Sequence, residues 1–128
     1  MKRLLLDTHV LLWWLIDPQL LRPAARDAIT QSDSEVFVSV AAIWELMVKV
    51  HAGRIDLPTD DPIQEMLERK RFRPLPVVLS HALRAAALPR IHGDPFDRMM
   101  TAQAVEEQLI LVTRDEVMLE YEVETIEA

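Results

Sequence analysis

Four carboxylates stand beside apolar runs in this chain. Asp7 follows Leu4-Leu5-Leu6, Glu45 interrupts the stretch Val40–Val50, Asp97 lies three residues past Asp94, and Asp115 comes soon after Leu109–Val112. Each has an ordinary explanation when taken alone. Asp7 suits a helix N-cap. Glu45 can pair with Lys49 one helical turn on, a contact worth ~0.2–0.5 kcal/mol on an exposed helix. Asp97 answers the dipole of a first helical turn, and Asp115 can cap a short final helix. Asp94 is the purer cap of its pair, because Pro95 behind it fixes the helix start. Taken together the four acids strain these explanations. A parallel sheet gathers the C-terminal ends of its strands and the adjacent helix N-termini at one edge. Asp7, Asp97 and Asp115 then converge there, with Glu45 part-way along its own helix. Carboxylates crowded in this way cannot all stay ionised without a cation. An all-oxygen ligand set selects a hard ion, Mg²⁺ or Mn²⁺. One or two such ions activate water and stabilise the leaving oxygen in phosphodiester cleavage.

The elements that must position these acids follow from patterning. Residues 3–7 read as a buried strand, and Thr8 or Asp7 caps a helix running to about Ile16, ended by Asp17-Pro18. Pro23 opens a helix over roughly 23–31 with Ala24, Ala25, Ala28 and Ile29 inward, and a polar turn leads to a second strand at Glu35–Val38. Ser39 caps a helix over 40–51, closed near Gly53. That helix is apolar nearly all round apart from Glu45 and Lys49, so it is expected to be largely buried, with Glu45 in need of a partner. Asp61-Pro62 opens a further helix to about Lys70, with Asp61 as cap. Arg73–Val78 reads as a short third strand and Ser80 as the cap of a helix through Ala87. His92-Gly93-Asp94 is a loop, and Asp94-Pro95 starts a helix to about Gln108. Leu109–Thr113 is a fourth strand, followed by a helical turn near 116–120 and a weak edge strand at 123–126. Strands alternating with helices predict an α/β domain over 1–128: a parallel sheet of four to five strands with helices on both sides.

Composition removes several classes. The 128 residues suffice for one domain with a real core. There is no Cys, so disulfides, thiolate metal sites and cysteine nucleophiles are absent. Two glycines cannot build a phosphate-cradling loop. No stretch is apolar for long enough to span a membrane, and no signal-peptide pattern opens the chain, so a cytoplasmic protein is expected. The net charge of −7 is concentrated at the end: five glutamates in 116–128 account for most of it, and without them 14 basic residues face 16 acidic ones. A simple basic nucleic-acid footprint is therefore missing, and bound cations must offset repulsion if RNA or DNA is handled. Arg69, Lys70, Arg71 and Arg73 are the densest basic cluster, explained either by phosphate contacts or by a solvated helix end.

The segments Leu5–Trp13, Ser39–Leu46, Asp94–Met100 and Leu111–Asp115, with their order and spacing, resemble those of PIN-domain proteins, specifically the VapC-like toxins of type II toxin–antitoxin pairs. The resemblance implies a Mg²⁺-dependent endoribonuclease, inhibited by a cognate antitoxin and assembled as a homodimer. It makes Asp7 and Asp97 the main metal ligands. Glu45 becomes the third acid, as a ligand through water or an orienter of the attacking water. Asp115 is then the fourth acid, supported by Thr113. Asp94, an extra acid close by, leaves the ligand open between Asp94 and Asp97. An antitoxin segment is expected in an apolar groove lined by helix 10–16, with Trp13 and Trp14, and by helix 40–51. Two other functions use similar acids: a metal nuclease acting on structured DNA, and a phosphoacceptor receiver domain. The receiver pattern asks for a pair of acids ending the first strand and a late lysine, where this chain has Asp7 alone and Arg114.

Overall fold

The computed structural model describes residues 1–91, 93–116 and 118–128. The chain runs β1 (Arg3–Leu6), α1 (Thr8–Ile16), a 3₁₀ turn (Pro18–Leu20), α2 (Pro23–Thr30), β2 (Glu35–Ser39) and α3 (Val40–His51). It continues through α4 (Ile63–Arg69), β3 (Phe72–Leu75), α5 (Leu79–Ala87), α6 (Pro95–Glu107), β4 (Ile110–Thr113), a 3₁₀ turn at Met118–Glu120 and β5 (Thr125–Glu127). The five strands form one sheet in the order β3-β2-β1-β4-β5, and every pairing is parallel. The α/β architecture expected from the pattern is therefore present with five strands.

Leu4, Leu5 and Leu6 of the central strand β1 are all fully buried. Successive strand side chains point to opposite faces, so three buried in a row require cover on both sides of the sheet. The strand order reverses around β1. The chain steps outward through β2 and β3, then returns to place β4 on the other side. The gap between the ends of β1 and β4 is thus the topological switch point, where open α/β sheets place ligands.

Local chemistry explains most boundaries. Asp7 caps α1 by accepting from the Val10 amide, and Ser39 caps α3 by accepting from the Ala41 amide. Gly53, just past α3, has φ +73°, the left-handed conformation that a helix exit commonly requires. Asp94 caps α6 with Pro95 in the first turn.

Five expectations need correction. Asp61 does not cap α4: the helix starts after Pro62 with no side-chain cap, and the Asp61 carboxylate instead pairs with Arg69 at 2.7 Å. Ser80 does not cap α5. Val78 holds that position, and its amide donates to His81 Nδ1 at 3.1 Å. The third strand stops at Leu75 rather than continuing to Val78, since Pro76 cannot donate to a ladder. Ala24 faces solvent, while Ala25, Ala28 and Ile29 pack inward. The largest departure is α3, expected to be largely buried. Only Ala42 and Leu46 of it are buried, and Trp44 is 63% exposed with Val40 and Val48 also in solvent. A helix apolar all round does not reveal which of its faces the chain itself will cover. His92 of the expected loop and Val117 of the last helical turn lie outside the described residues.

Candidate active site

Asp7 is the best-defined acid. It is only 3% exposed, directly beyond β1, and its amide prolongs the ladder by donating to the Val112 carbonyl at 3.1 Å. One carboxylate oxygen accepts from the Val10 amide at 2.8 Å and the other from the Thr113 hydroxyl. Burial pushes the Asp7 carboxyl above the usual carboxylate range, and the nearby charge of Asp115 adds to this. The Thr113 and Val10 hydrogen bonds and the proximity of His9 pull the other way, without cancelling it.

Thr113 ends β4 beside Asp7 and is fully buried. Its hydroxyl donates to Asp7 and accepts the Asp115 amide at 3.1 Å, so one side chain ties both acids to the strand end. Asp115 and Asp97 line a single cleft of about 280 Å³ together with Asp7, His9, Trp13 and Arg114. Three of the four acids singled out from the sequence therefore share one cleft at the switch point.

Asp94 and Asp97 part company. The Asp94 carboxylate caps α6, accepting from the Phe96 amide at 2.8 Å and the Asp97 amide at 3.3 Å, whereas Asp97, in the first turn, lines the cleft. Glu45 is not in the cleft lining. One of its oxygens accepts from the Thr8 hydroxyl at 2.6 Å, and the other lies 3.5 Å from Lys49 Nζ. The i,i+4 pair thus exists, but Thr8 gives Glu45 a second, tighter anchor to the residue that follows Asp7.

Among the described residues, no three His, Asp or Glu side chains form a ready-made metal shell. The donors nevertheless suit a hard cation. They are carboxylate oxygens, and Asp7 is buried with its proton affinity raised, a condition that a bound divalent charge relieves.

A second concavity, of about 570 Å³, lies between α3, the segment after β3 and α6. Its walls include Val40, Ala41, Trp44, Val77, Phe96 and Met99, with Trp44 and Phe96 in edge-to-face contact at 5.6 Å. Helix 40–51 thus lines an apolar groove as expected, but helix 10–16 does not. Trp13 lines the acidic cleft, and Trp14 packs against Phe72 at 6.2 Å. Two of the four residues of the basic cluster are engaged in ion pairs, Arg69 with Asp61 and Arg73 with Glu35 at 3.0 Å.

The PIN domain family matches residues 4–124 of this sequence. The chain belongs to the PIN-domain family. Ribonuclease VapC22 of Mycobacterium tuberculosis is 38% identical over 118 residues, covering 90% of this chain and 88% of the relative, which makes the chain VapC-like. Among solved structures, a toxin–antitoxin complex from Klebsiella pneumoniae superposes with a TM-score of 0.65 at 18% identity, covering 97% of this chain and 96% of its counterpart. FitAcB from Neisseria gonorrhoeae gives 0.62 at 22% identity with the same coverages. At those identities the two structures establish a shared PIN fold.

Sequence reasoning singled out Asp7, Asp97, Asp115 and Thr113 but passed over His9, Trp13 and Thr8 as parts of the site. The available signal was spacing: His9 and Trp13 are four apart on α1, so they share the helix face that begins at Asp7.

Proposed function

We propose that this PIN-domain chain is a Mg²⁺-dependent endoribonuclease toxin of a type II toxin–antitoxin pair. The observation that carries the reading is the gathering of Asp7, Asp97 and Asp115 in one cleft at the sheet's switch point, with Asp7 buried and its carboxyl pushed up. Those three carboxylates would hold the cation, and Mn²⁺ suits the same oxygens. Bound there, Mg²⁺ supplies Lewis-acid polarisation of the phosphoryl group and a more acidic water.

The protein's own part is positioning. The Val10 amide and the Thr113 hydroxyl fix both Asp7 oxygens, and Thr113 also sets Asp115 through its amide. Asp94 starts α6 so that Asp97 falls in its first turn at the cleft. Glu45, steadied by Thr8, is the acid left to orient the attacking water. The relationship to a protein named as a ribonuclease supports RNA over structured DNA as the substrate, and PIN-family membership displaces the receiver reading.

A cognate antitoxin segment in the apolar groove is the matching partner, because a continuous apolar lining beside the active edge suits an amphipathic helix. Leu79 and Leu83 on α5, 74% and 63% exposed, offer a further apolar face for a second copy of the chain. The deciding experiment is incubation of total RNA with the purified chain, with Mg²⁺ or with EDTA, alongside Asp7→Asn. Cleavage that needs Mg²⁺ and disappears in the variant supports the reading. Equal cleavage in EDTA, or by Asp7→Asn, overturns it, and cutting of structured DNA alone transfers it to the DNA alternative.

A further inference from the structure

The acidic cleft carries three flat groups that holding a cation does not require. His9 and Trp13 lie one turn apart on α1 with ring centroids 5.8 Å apart and planes inclined by 34°. The Arg114 guanidinium lies 4.2 Å from the centroid of the Trp13 ring. All three line the same cleft as Asp7, Asp97 and Asp115. Arg114 is not a loose counter-ion. Its Nε donates to the Ala128 carbonyl at 2.9 Å and its Nη2 to the Leu20 carbonyl, which fixes the guanidinium plane over the indole. His9 is exposed and Trp13 half-buried, so the group presents flat surface to solvent beside the carboxylates.

A staple between the Leu20 turn and the Ala128 carbonyl needs only the hydrogen bonds of Arg114. It leaves an exposed imidazole packed on an indole, at the mouth of an acidic cleft, without a purpose. The ligand that matches stacked π faces and a fixed guanidinium is a nucleobase, which stacks on aromatic and arginine planes alike. We propose that His9, Trp13 and Arg114 form a stacking platform for an unpaired nucleobase next to the scissile phosphate. The inference rests on the nuclease reading above and adds to it the residues that hold a base of the substrate. A paired base is already stacked on its neighbours within a duplex and has no free face to offer, whereas an unpaired base can turn onto the platform. The fixed positive charge of Arg114 also tempers the repulsion that three carboxylates exert on an approaching phosphate.

The test is steady-state cleavage by the full chain of a mixed-sequence single-stranded oligoribonucleotide and of the same sequence paired in a duplex. Stacking on one aromatic is worth roughly 5- to 150-fold in affinity. His9→Ala is expected to raise KM about tenfold, within that range, while kcat stays near the parent value. His9→Phe restores KM, because it returns a π face without the imidazole nitrogens. Trp13→Phe, which keeps an aromatic in a partly buried position, holds KM closer to the parent than Trp13→Leu does. The parent cuts the single strand in preference to the duplex. An unchanged KM in His9→Ala, a failure of His9→Phe to restore it, or equal cleavage of duplex and single strand overturns the platform while the nuclease reading stands. A parent that cuts no RNA overturns that reading, and the platform with it.

Discussion

Phe96 and Asp97 are neighbours on α6, as Trp44 and Glu45 are on α3, yet in each pair the aromatic and the acid face different surroundings. The aromatic members meet edge-to-face in the apolar groove. Asp97 lines the acidic cleft, and Glu45 is anchored to α1 through Thr8. Successive helix residues are about 100° apart, so one helix can serve an apolar wall and a polar site at consecutive positions. In the cleft, Asp7 and Thr113 are buried and tied to each other by a hydrogen bond at the ends of the two central strands. In the groove, large apolar side chains lie open on helices. The first arrangement suits chemistry that demands fixed geometry, and the second suits a surface that a partner covers.

Charge removal in the cleft is the severest way to test that division. Asp97→Asn should lower RNA cleavage about a thousandfold, the scale of losing a preorganised charge-stabilising group. Asp94→Asn, which keeps a good N-cap, should largely preserve cleavage. Equal losses in initial-rate assays would erase the separation of Asp94 as cap from Asp97 as ligand. Glu45→Gln keeps the Thr8 contact but removes the charge, and should cost about a hundredfold in kcat, as loss of a general base does. An unchanged kcat would return Glu45 to the plain ion pair with Lys49.

The groove answers to a different readout. Val77→Asp places a charge on its wall and should weaken binding of the cognate antitoxin about tenfold or more, measured by titration calorimetry, since burying an unpaired charge is costly. RNA cleavage should stay near the parent value. If cleavage fell and antitoxin affinity did not, the roles assigned to the two regions would be reversed.

Much of the cleft was legible because its acids are signed by their neighbours: Leu4-Leu5-Leu6 before Asp7, Pro95 before Asp97, an apolar strand before Thr113 and Asp115. Strand ends in a parallel sheet need no tertiary knowledge to be placed on one edge. The groove was less legible. The apolar residues of α3 suggested burial, but Val40, Trp44 and Val48 face outward, and periodicity cannot distinguish a core from a surface that another chain covers. Caps misled where competing partners won. Asp61 was drawn to Arg69, and Ser80 yielded the start of α5 to Val78, whose amide His81 satisfies. The contact of Trp13 with Arg114 joins residues more than a hundred positions apart, and no local pattern carries it.

The smallest expected effect concerns stability. Because Asp7 is raised above its ordinary value of 3.8 in the folded chain, the folded state binds this proton more tightly than the unfolded state. The stability it contributes is full below the unfolded value and is lost as pH rises through the folded one. In EDTA at neutral pH, Asp7→Asn should therefore melt above the parent, and the gap should close on acidification toward about pH 4. A variant that melts below the parent across that range would mean that the ionised carboxylate is comfortable without a cation.

Mn²⁺ binding to the parent, Asp7→Asn and Asp97→Asn at neutral pH, followed by calorimetry, reads out whether the cleft carboxylates hold a divalent cation. Saturable binding by the parent is expected, with loss of that binding in both variants, each still folded. Parent-like Mn²⁺ binding by both variants would contradict it.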